Sequence, residues 1–302
     1  MRIIILGLCL LALLGHARAE LPQGASELSF QRSDGERMAL FTYRPAGAGL
    51  DAPVVIVLSG LLRNAATYRD EWREAADRYG YVVVAPRFSQ RAYPGAEGYN
   101  LGRLNDRDGQ PAPREKWAFT AIDELFEWLR SSGHTSRQRY YLYGNSAGCQ
   151  FVHRMLTLLP DARVEAAVCA AAGWWTLPDR HTPWPYGLAD GPVEVGSKEL
   201  AELFARPLLV TVGAEDDADA TPPPRHSPGA DAQGSDRRQR AWFYYRSARR
   251  EASDLGLPFA WSFSRLPGVA HSGARTSRYA AIQFDAFERL GRFDLDQPPP
   301  QR

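Results

Sequence analysis

The sequence predicts an α/β domain: a mostly parallel central sheet with helices on both faces. Three observations point there. Pro53–Leu58 is continuously apolar and Tyr81–Pro86 is a second such run, as in strands buried on both faces, and Val164–Ala170 and Pro207–Val212 are further, mostly apolar strands. Stretches with helical spacing separate them, so strand and helix alternate along the chain. With 302 residues, 44% of them hydrophobic, the chain can fill one large core and suits one big domain better than two small ones.

The chain starts with a charged Met1-Arg2, an apolar run from Ile3 to Leu14 and a small-x-small site at Ala17-Arg18-Ala19. That is the pattern of a secretory signal over residues 1–19, too short in its apolar part to span a bilayer comfortably. Cleavage near Ala19 is expected to release an exported product, periplasmic or extracellular, with no membrane anchor. One folded α/β domain is expected over 20–293, and the Pro298-Pro299-Pro300 segment marks 294–302 as a disordered tail. A net charge of +1 argues against nucleic acid or an anionic membrane as partner. The arginines at 237, 238, 240, 249 and 250 read as a solvated helix face. Two cysteines remain after cleavage, Cys149 and Cys169, on elements that should be neighbours. A disulfide is sterically plausible in an oxidising compartment, and two buried free thiols are the alternative.

In chain order, Ser26–Arg32 and Met38–Tyr43 read as antiparallel strands around a turn at Ser33-Asp34-Gly35. Pro53–Leu58 is followed by helical spacing over Tyr68–Tyr79, then by the strand Tyr81–Pro86 and a long polar connection to about Arg114. Trp117–Arg130 is amphipathic, with Trp117, Phe119, Ile122, Leu125, Phe126 and Leu129 on one face. The aromatic run Tyr140–Tyr143 leads into Gly144-Asn145-Ser146-Ala147-Gly148 and a helix to Leu159. After the strand Val164–Ala170 comes an aromatic connection over 172–206, then the strand Pro207–Val212 and a Pro- and Gly-rich loop over 221–234. A helix over 236–255, a strand Phe259–Leu266, a glycine turn and a helix Arg275–Arg292 close the chain.

Gly-x-Ser-x-Gly between a strand and a helix is the pattern of a nucleophile elbow, which holds the serine hydroxyl proud of the sheet. Ser146 is the candidate nucleophile. It needs a base and an acid, and in parallel sheets such groups gather beyond the carboxyl ends of strands. His271 follows the last strand through a glycine turn, whereas His134, His153, His181 and His226 lie in loops or along helices that do not lead to a strand end. The acidic turn after Val212 offers Glu215, Asp216 and Asp217. The order serine, acid, histidine is the one expected of α/β-hydrolases. Two backbone donors for an oxyanion would come from Ala147, after the nucleophile, and Leu61, in the loop after an early strand. Trp174, Trp175, Trp184 and Tyr186 are candidates for an aromatic substrate wall. No metal or cofactor is expected, since the chain has no His/Cys cluster and no glycine-rich phosphate loop.

Gly60-Leu61-Leu62-Arg63-Asn64-Ala65, Tyr68-Arg69-Asp70, Trp72, Tyr99-Asn100-Leu101-Gly102, Gly144–Gln150 and Ala172–Pro178 occur in that order, followed by Gly213–Asp216 and Pro267–His271. Together they resemble bacterial α/β-hydrolases related to polyhydroxybutyrate depolymerases, over most of the chain. The resemblance implies an exported Ser/Asp/His esterase with the acid three residues after Gly213, at Asp216. It implies an ester substrate, small or polymeric. One departure is Ser59-Gly60, where His-Gly is usual. The same triad serves peptidases and amidases, and a noncatalytic binding module on the same fold is the remaining alternative.

Overall fold

The computed structural model describes residues 20–297; the expected signal segment 1–19 and residues 298–302 lie outside it. The strands are β1 (Gly24–Gln31), β2 (Arg37–Arg44), β3 (Val54–Leu58), β4 (Val82–Pro86), β5 (Tyr140–Asn145), β6 (Val164–Ala170), β7 (Leu208–Gly213) and β8 (Trp261–Leu266). They form one sheet in the order β1-β2-β4-β3-β5-β6-β7-β8. β1 and β2 are an antiparallel hairpin, registered from Gly24 opposite Arg44 to Gln31 opposite Arg37, and β2 runs antiparallel to β4. Every pairing from β4 to β8 is parallel. The carboxyl ends of six neighbouring strands therefore share one edge of the sheet.

The helices are α1 (Ala65–Glu71), α2 (Arg73–Tyr79), α3 (Thr120–Ser131), α4 (Ala147–Leu158), α5 (Ser197–Ala205), α6 (Pro228–Asp231), α7 (Arg237–Asp254) and α8 (Gly273–Leu290). Side chains alternate across each buried strand and so feed two cores. Val54, Ile56 and Leu58 enter the core covered by α3, α4, α5 and α7, while Val55 and Val57 enter the one covered by α1, α2 and α8. Burying each such side chain stabilises the fold by about 1.5–3 kcal/mol, which is why strands with no polar face persist here.

Three expectations change. The single helix over Tyr68–Tyr79 is two, broken at Trp72, whose buried indole lies edge-on to Tyr143 at 5.2 Å and stacks on Phe284 at 6.0 Å. The connection 172–206 contains α5, started by the Gly196 N–H donating to Glu199 and buried through Leu200, Leu203 and Phe204. The connection after β4 is less polar inside than its composition suggests, because Phe88, Tyr93, Tyr99, Leu101 and Leu104 are buried. At the carboxyl end Phe293 is buried, and the Asp294 backbone exchanges two hydrogen bonds with the Gln283 side chain.

Candidate active site

Ser146 sits between β5 and α4 with φ 55° and ψ −114°, a left-handed conformation that a non-glycine residue adopts only when its surroundings impose it. The flanking glycines show what imposes it. A Cβ on Gly144 would collide with the Gly148 carbonyl, and one on Gly148 with the Leu58 carbonyl of the neighbouring strand. The corner is closed by the Ser146 N–H donating to the Ala170 carbonyl at 2.8 Å. Ala147 then opens α4, so its N–H belongs to the first turn of a helix, where the macrodipole favours negative charge.

The acidic and histidine turns meet the same edge. A Cβ on Gly213 would collide with the Val269 carbonyl, so glycine lets the two turns touch. Backbone bonds from Ala214 to Leu266 and from Glu215 to Val269, both 2.9 Å, lace them together. Of the three acids, Asp216 is the one that turns inward: it is wholly buried, and its Oδ2 lies 2.7 Å from His271 Nδ1. Glu215 is exposed, and Asp217 faces Arg238 at 3.8 Å. The other Asp216 oxygen accepts from Arg237 at 2.9 Å, and that guanidinium also donates to the carbonyls of Pro222 and Pro223. Arg237 and Arg240 are buried, which corrects the expectation of a wholly solvated arginine face. No local pattern in the sequence announces a contact between residues 216 and 237.

Beneath Ser146 lies an uncharged network. The Tyr68 hydroxyl donates to Asn145 Oδ1 at 3.1 Å, and Asn145 Nδ2 donates to Thr276 Oγ1 at 3.2 Å. Tyr143 joins at Thr276, 2.8 Å, and donates to the Gly273 carbonyl at 3.3 Å. These bonds tie α1, the residue before Ser146, and the start of α8 two residues beyond His271. Tyr68 also lies against the loop that carries Leu61, since a Cβ on Gly60 would be 3.1 Å from its hydroxyl and 3.8 Å from Ser146 Cβ. Burial pushes the Tyr68 phenol well above its usual range, with hydrogen bonding from the Gly60 backbone opposing. At the position of the unusual Ser59, the carbonyl accepts from Tyr99 at 2.7 Å, so the loop is anchored without a histidine. The Leu61 and Leu62 side chains are 63% and 84% exposed and form an apolar lip beside Gly60.

The aromatic candidates divide. Trp175 is wholly buried, stacked on Tyr244 at 4.2 Å and beside His153 at 5.0 Å; it fills the core and is no cleft wall. Trp174 is buried as well, against Tyr186 at 4.8 Å. Trp184 and Tyr186 remain half-buried, and Tyr186 bonds Ser227 at 2.8 Å. Cys149 and Cys169 are joined in a disulfide, fastening the first turn of α4 to β6. With His153 they form the one close His/Cys group found among the described residues. Its donors are taken: the thiols by each other, His153 Nδ1 by the Cys149 carbonyl at 3.0 Å, and Nε2 by the Thr176 N–H at 3.0 Å. Burial and the neighbouring Arg154 hold that imidazole well below its usual value, in agreement with a neutral ring donating from Nδ1.

Compared with known proteins, the chain matches no family model and no curated sequence. Solved structures do match it. Poly(aspartic acid) hydrolase-1 from Sphingomonas sp. KT-1 is 36% identical with a TM-score of 0.82, over 86% of this chain and 98% of that one. LpqC, a poly(3-hydroxybutyrate) depolymerase from Bordetella parapertussis, is also 36% identical with a TM-score of 0.82, over 90% and 92%. An S-formylglutathione hydrolase from Agrobacterium tumefaciens, 17% identical with a TM-score of 0.55 over 90% and 98%, shares the fold. With two relatives at that identity matched along nearly their whole length, the chain belongs to the α/β-hydrolases related to polyhydroxybutyrate depolymerases.

Proposed function

We propose that the protein is an exported serine hydrolase that cleaves carboxylic esters through an acyl-enzyme. The observation that carries this reading is the 2.7 Å bond between His271 Nδ1 and Asp216 Oδ2, on the sheet edge where Ser146 occupies its left-handed corner. In the reaction, Ser146 Oγ attacks the ester carbonyl while His271 Nε2 takes its proton. The oxygen of the tetrahedral intermediate is held by the N–H groups of Leu61 and Ala147. His271 returns the proton to the departing alcohol, and water, deprotonated by the same imidazole, releases the acid and restores Ser146. Asp216 keeps the Nδ1–H tautomer and stabilises the imidazolium, with Arg237 fixing the carboxylate from the far side.

The exposed Leu61 and Leu62, with the half-buried Trp184 and Tyr186, would meet the acyl chain or the surface of a polyester. The signal pattern over 1–19 and the Cys149–Cys169 disulfide both favour export, since such a bond forms and persists in oxidising compartments. Amide cleavage is the second reading, favoured by the equal likeness to a poly(aspartic acid) hydrolase. A fluorophosphonate probe tests the core of the proposal: Ser146 is labelled in the folded protein and Ser146→Ala takes no label. Absence of label on the folded wild type overturns it. Matched p-nitrophenyl butyrate and butyryl p-nitroanilide then separate the readings, with the ester cleaved and the anilide spared.

A further inference from the structure

One turn along α4 from the nucleophile stands Gln150, and one turn further Arg154. The rise of an α-helix puts Gln150 only about 6 Å along the axis from Ser146. Arg154 is wholly buried and makes no ion pair among the described residues. Its Nε donates to Thr176 at 2.8 Å, and Nη1 donates to the carbonyls of Asn100 and Gln150 at 2.9 and 3.0 Å. Nη2 is buried without a partner, and the guanidinium lies 4.1 Å from the centre of the Trp174 ring. Burial pulls this group down to about 9, opposed through space by Tyr244, Glu97 and Tyr186, so it is charged at neutral pH. A buried cation with no counter-ion is costly to desolvate, and the three hydrogen bonds that Arg154 donates leave Nη2 unanswered.

Gln150 carries that charge towards the site. Its Oε1 accepts from Asn100 Nδ2 at 3.0 Å and faces Arg154 Nη1 at 3.5 Å. Two donors on the oxygen fix the orientation of the amide, which leaves Nε2 on the side of Gly173. A Cβ on Gly173 would lie 3.3 Å from Nε2, and Nε2 makes no hydrogen bond among the described residues. Gly173 belongs to the loop after β6, whose Ala170 carbonyl holds the Ser146 N–H. Arg154 Nη2 is thus a buried donor and Asn100 Oδ1 a buried acceptor without a partner, and Gln150 Nε2 is a further donor that no described residue engages. The cluster is donor-rich and positive.

We propose that Gln150 is the contact residue of an acyl subsite for substrates bearing a carboxylate on the acyl chain, with Arg154 as the positioning residue behind it. The proposal rests on the serine-hydrolase reading and adds a substrate class to it. The carboxylate receives Nε2–H of Gln150 and supplies the negative charge that Arg154 lacks, whereas an unsubstituted acyl chain leaves both unanswered.

The test compares monoethyl glutarate with ethyl 5-methylhexanoate, which replaces the carboxylate by an isopropyl group, following ethanol release at constant pH. The quantity read is the ratio of their kcat/KM values, so loss of folded protein cancels within each preparation. Wild type is expected to prefer the charged ester by about tenfold, the scale of one charge-assisted hydrogen bond. Gln150→Leu brings the ratio near one, and the isosteric Gln150→Glu turns it below one by placing like charges together. A wild-type ratio within twofold of one, or a preference that survives Gln150→Glu, overturns the subsite. So does failure to cleave either ester by protein whose Ser146 takes the phosphonate label. Protein whose Ser146 takes no label overturns the hydrolase reading itself, and the subsite with it.

Discussion

The floor of the site and its rim are held by different chemistry. Under Ser146 the ties are neutral hydroxyls and one amide: Tyr68, Asn145, Tyr143 and Thr276. Above the strand ends, the loops are held by buried arginines reaching backbone carbonyls. Arg63 donates to Phe88, Tyr93 and Gly95, Arg240 to Gly173, Arg225 and Gly234, and Arg237 to Pro222 and Pro223. A neutral hydrogen bond costs little to bury and contributes about 1 kcal/mol net, whereas a buried guanidinium is costly to desolvate and strongly destabilising once its partners go. Loops without regular structure have carbonyls to spare, and one arginine can serve three of them; a floor of strands and helix ends has few left over.

The sharpest contrast lies between Asp216→Asn and Ser146→Ala. Both should lower kcat by at least about 10³–10⁴-fold if the triad is as drawn. Only the first should also cost stability, about 3–5 kcal/mol, because it leaves Arg237 buried and unpaired. Ser146→Ala removes no charge partner and should unfold within about 0.5 kcal/mol of wild type. Chemical denaturation of both variants decides it, and equal stabilities would show that Arg237 is not held by this carboxylate.

A pair of variants away from the reacting atoms comes next. Arg240→Met strips three carbonyls and Asp231 of their donor and should cost about 3 kcal/mol or more. Thr276→Val, on the floor, leaves the Tyr143 hydroxyl and Asn145 amide short of one partner and should cost about 1–2 kcal/mol. If the floor variant proves the more damaging, the division of labour drawn here is wrong.

Tyr68→Phe separates positioning from packing, since the ring stays and the hydroxyl goes. With Asn145 released and the Gly60 backbone no longer facing an oxygen, kcat is expected to fall about tenfold with KM nearly constant. Affinity for a boronic acid analogue of the tetrahedral intermediate should fall by the same factor. A rise in KM at unchanged kcat would assign Tyr68 to substrate binding instead.

Much of this was legible in the sequence, for reasons that can be named. Strands such as Val54–Leu58 are buried on both faces, so their identity is written in consecutive residues. The elbow is likewise local, because the clashes that demand Gly144 and Gly148 arise within one strand–helix corner and the strand beside it. The choice of Asp216 over its neighbours needed the resemblance, as the direction of a turn residue depends on a loop more than fifty positions away. What composition hid was arginine: Arg237 and Arg240 belong to a basic run that looks solvated, yet three residues apart they share the buried face of one helix, while Arg249 and Arg250 further along it are exposed. Trp175 was misplaced for the opposite reason. An aromatic residue after a strand can wall a cleft or plug a core, and only its packing on Tyr244 decides.

The floor has one charged exception, and it gives the smallest effect. Glu71 ends α1 with Oε2 buried and without a hydrogen-bond partner. Burial pushes its carboxyl up to about 7 from 4.5, although the Ser277 hydroxyl and then the Arg278 charge pull the other way. Between those two values the folded protein holds a proton that the unfolded chain has released, so the carboxyl withdraws stability as pH rises from about 4.5 to about 7. Above that window the deficit is complete. Glu71→Gln, uncharged at every pH, should therefore be the more stable protein at pH 8, by roughly 1–2 kcal/mol once the partial exposure of the group is allowed for. The advantage should shrink as pH is lowered and be gone near pH 4.5. Denaturation curves at pH 5 and pH 8 measure it, and an offset that is the same at both would mean the buried carboxyl has another counter-charge and the floor is not neutral.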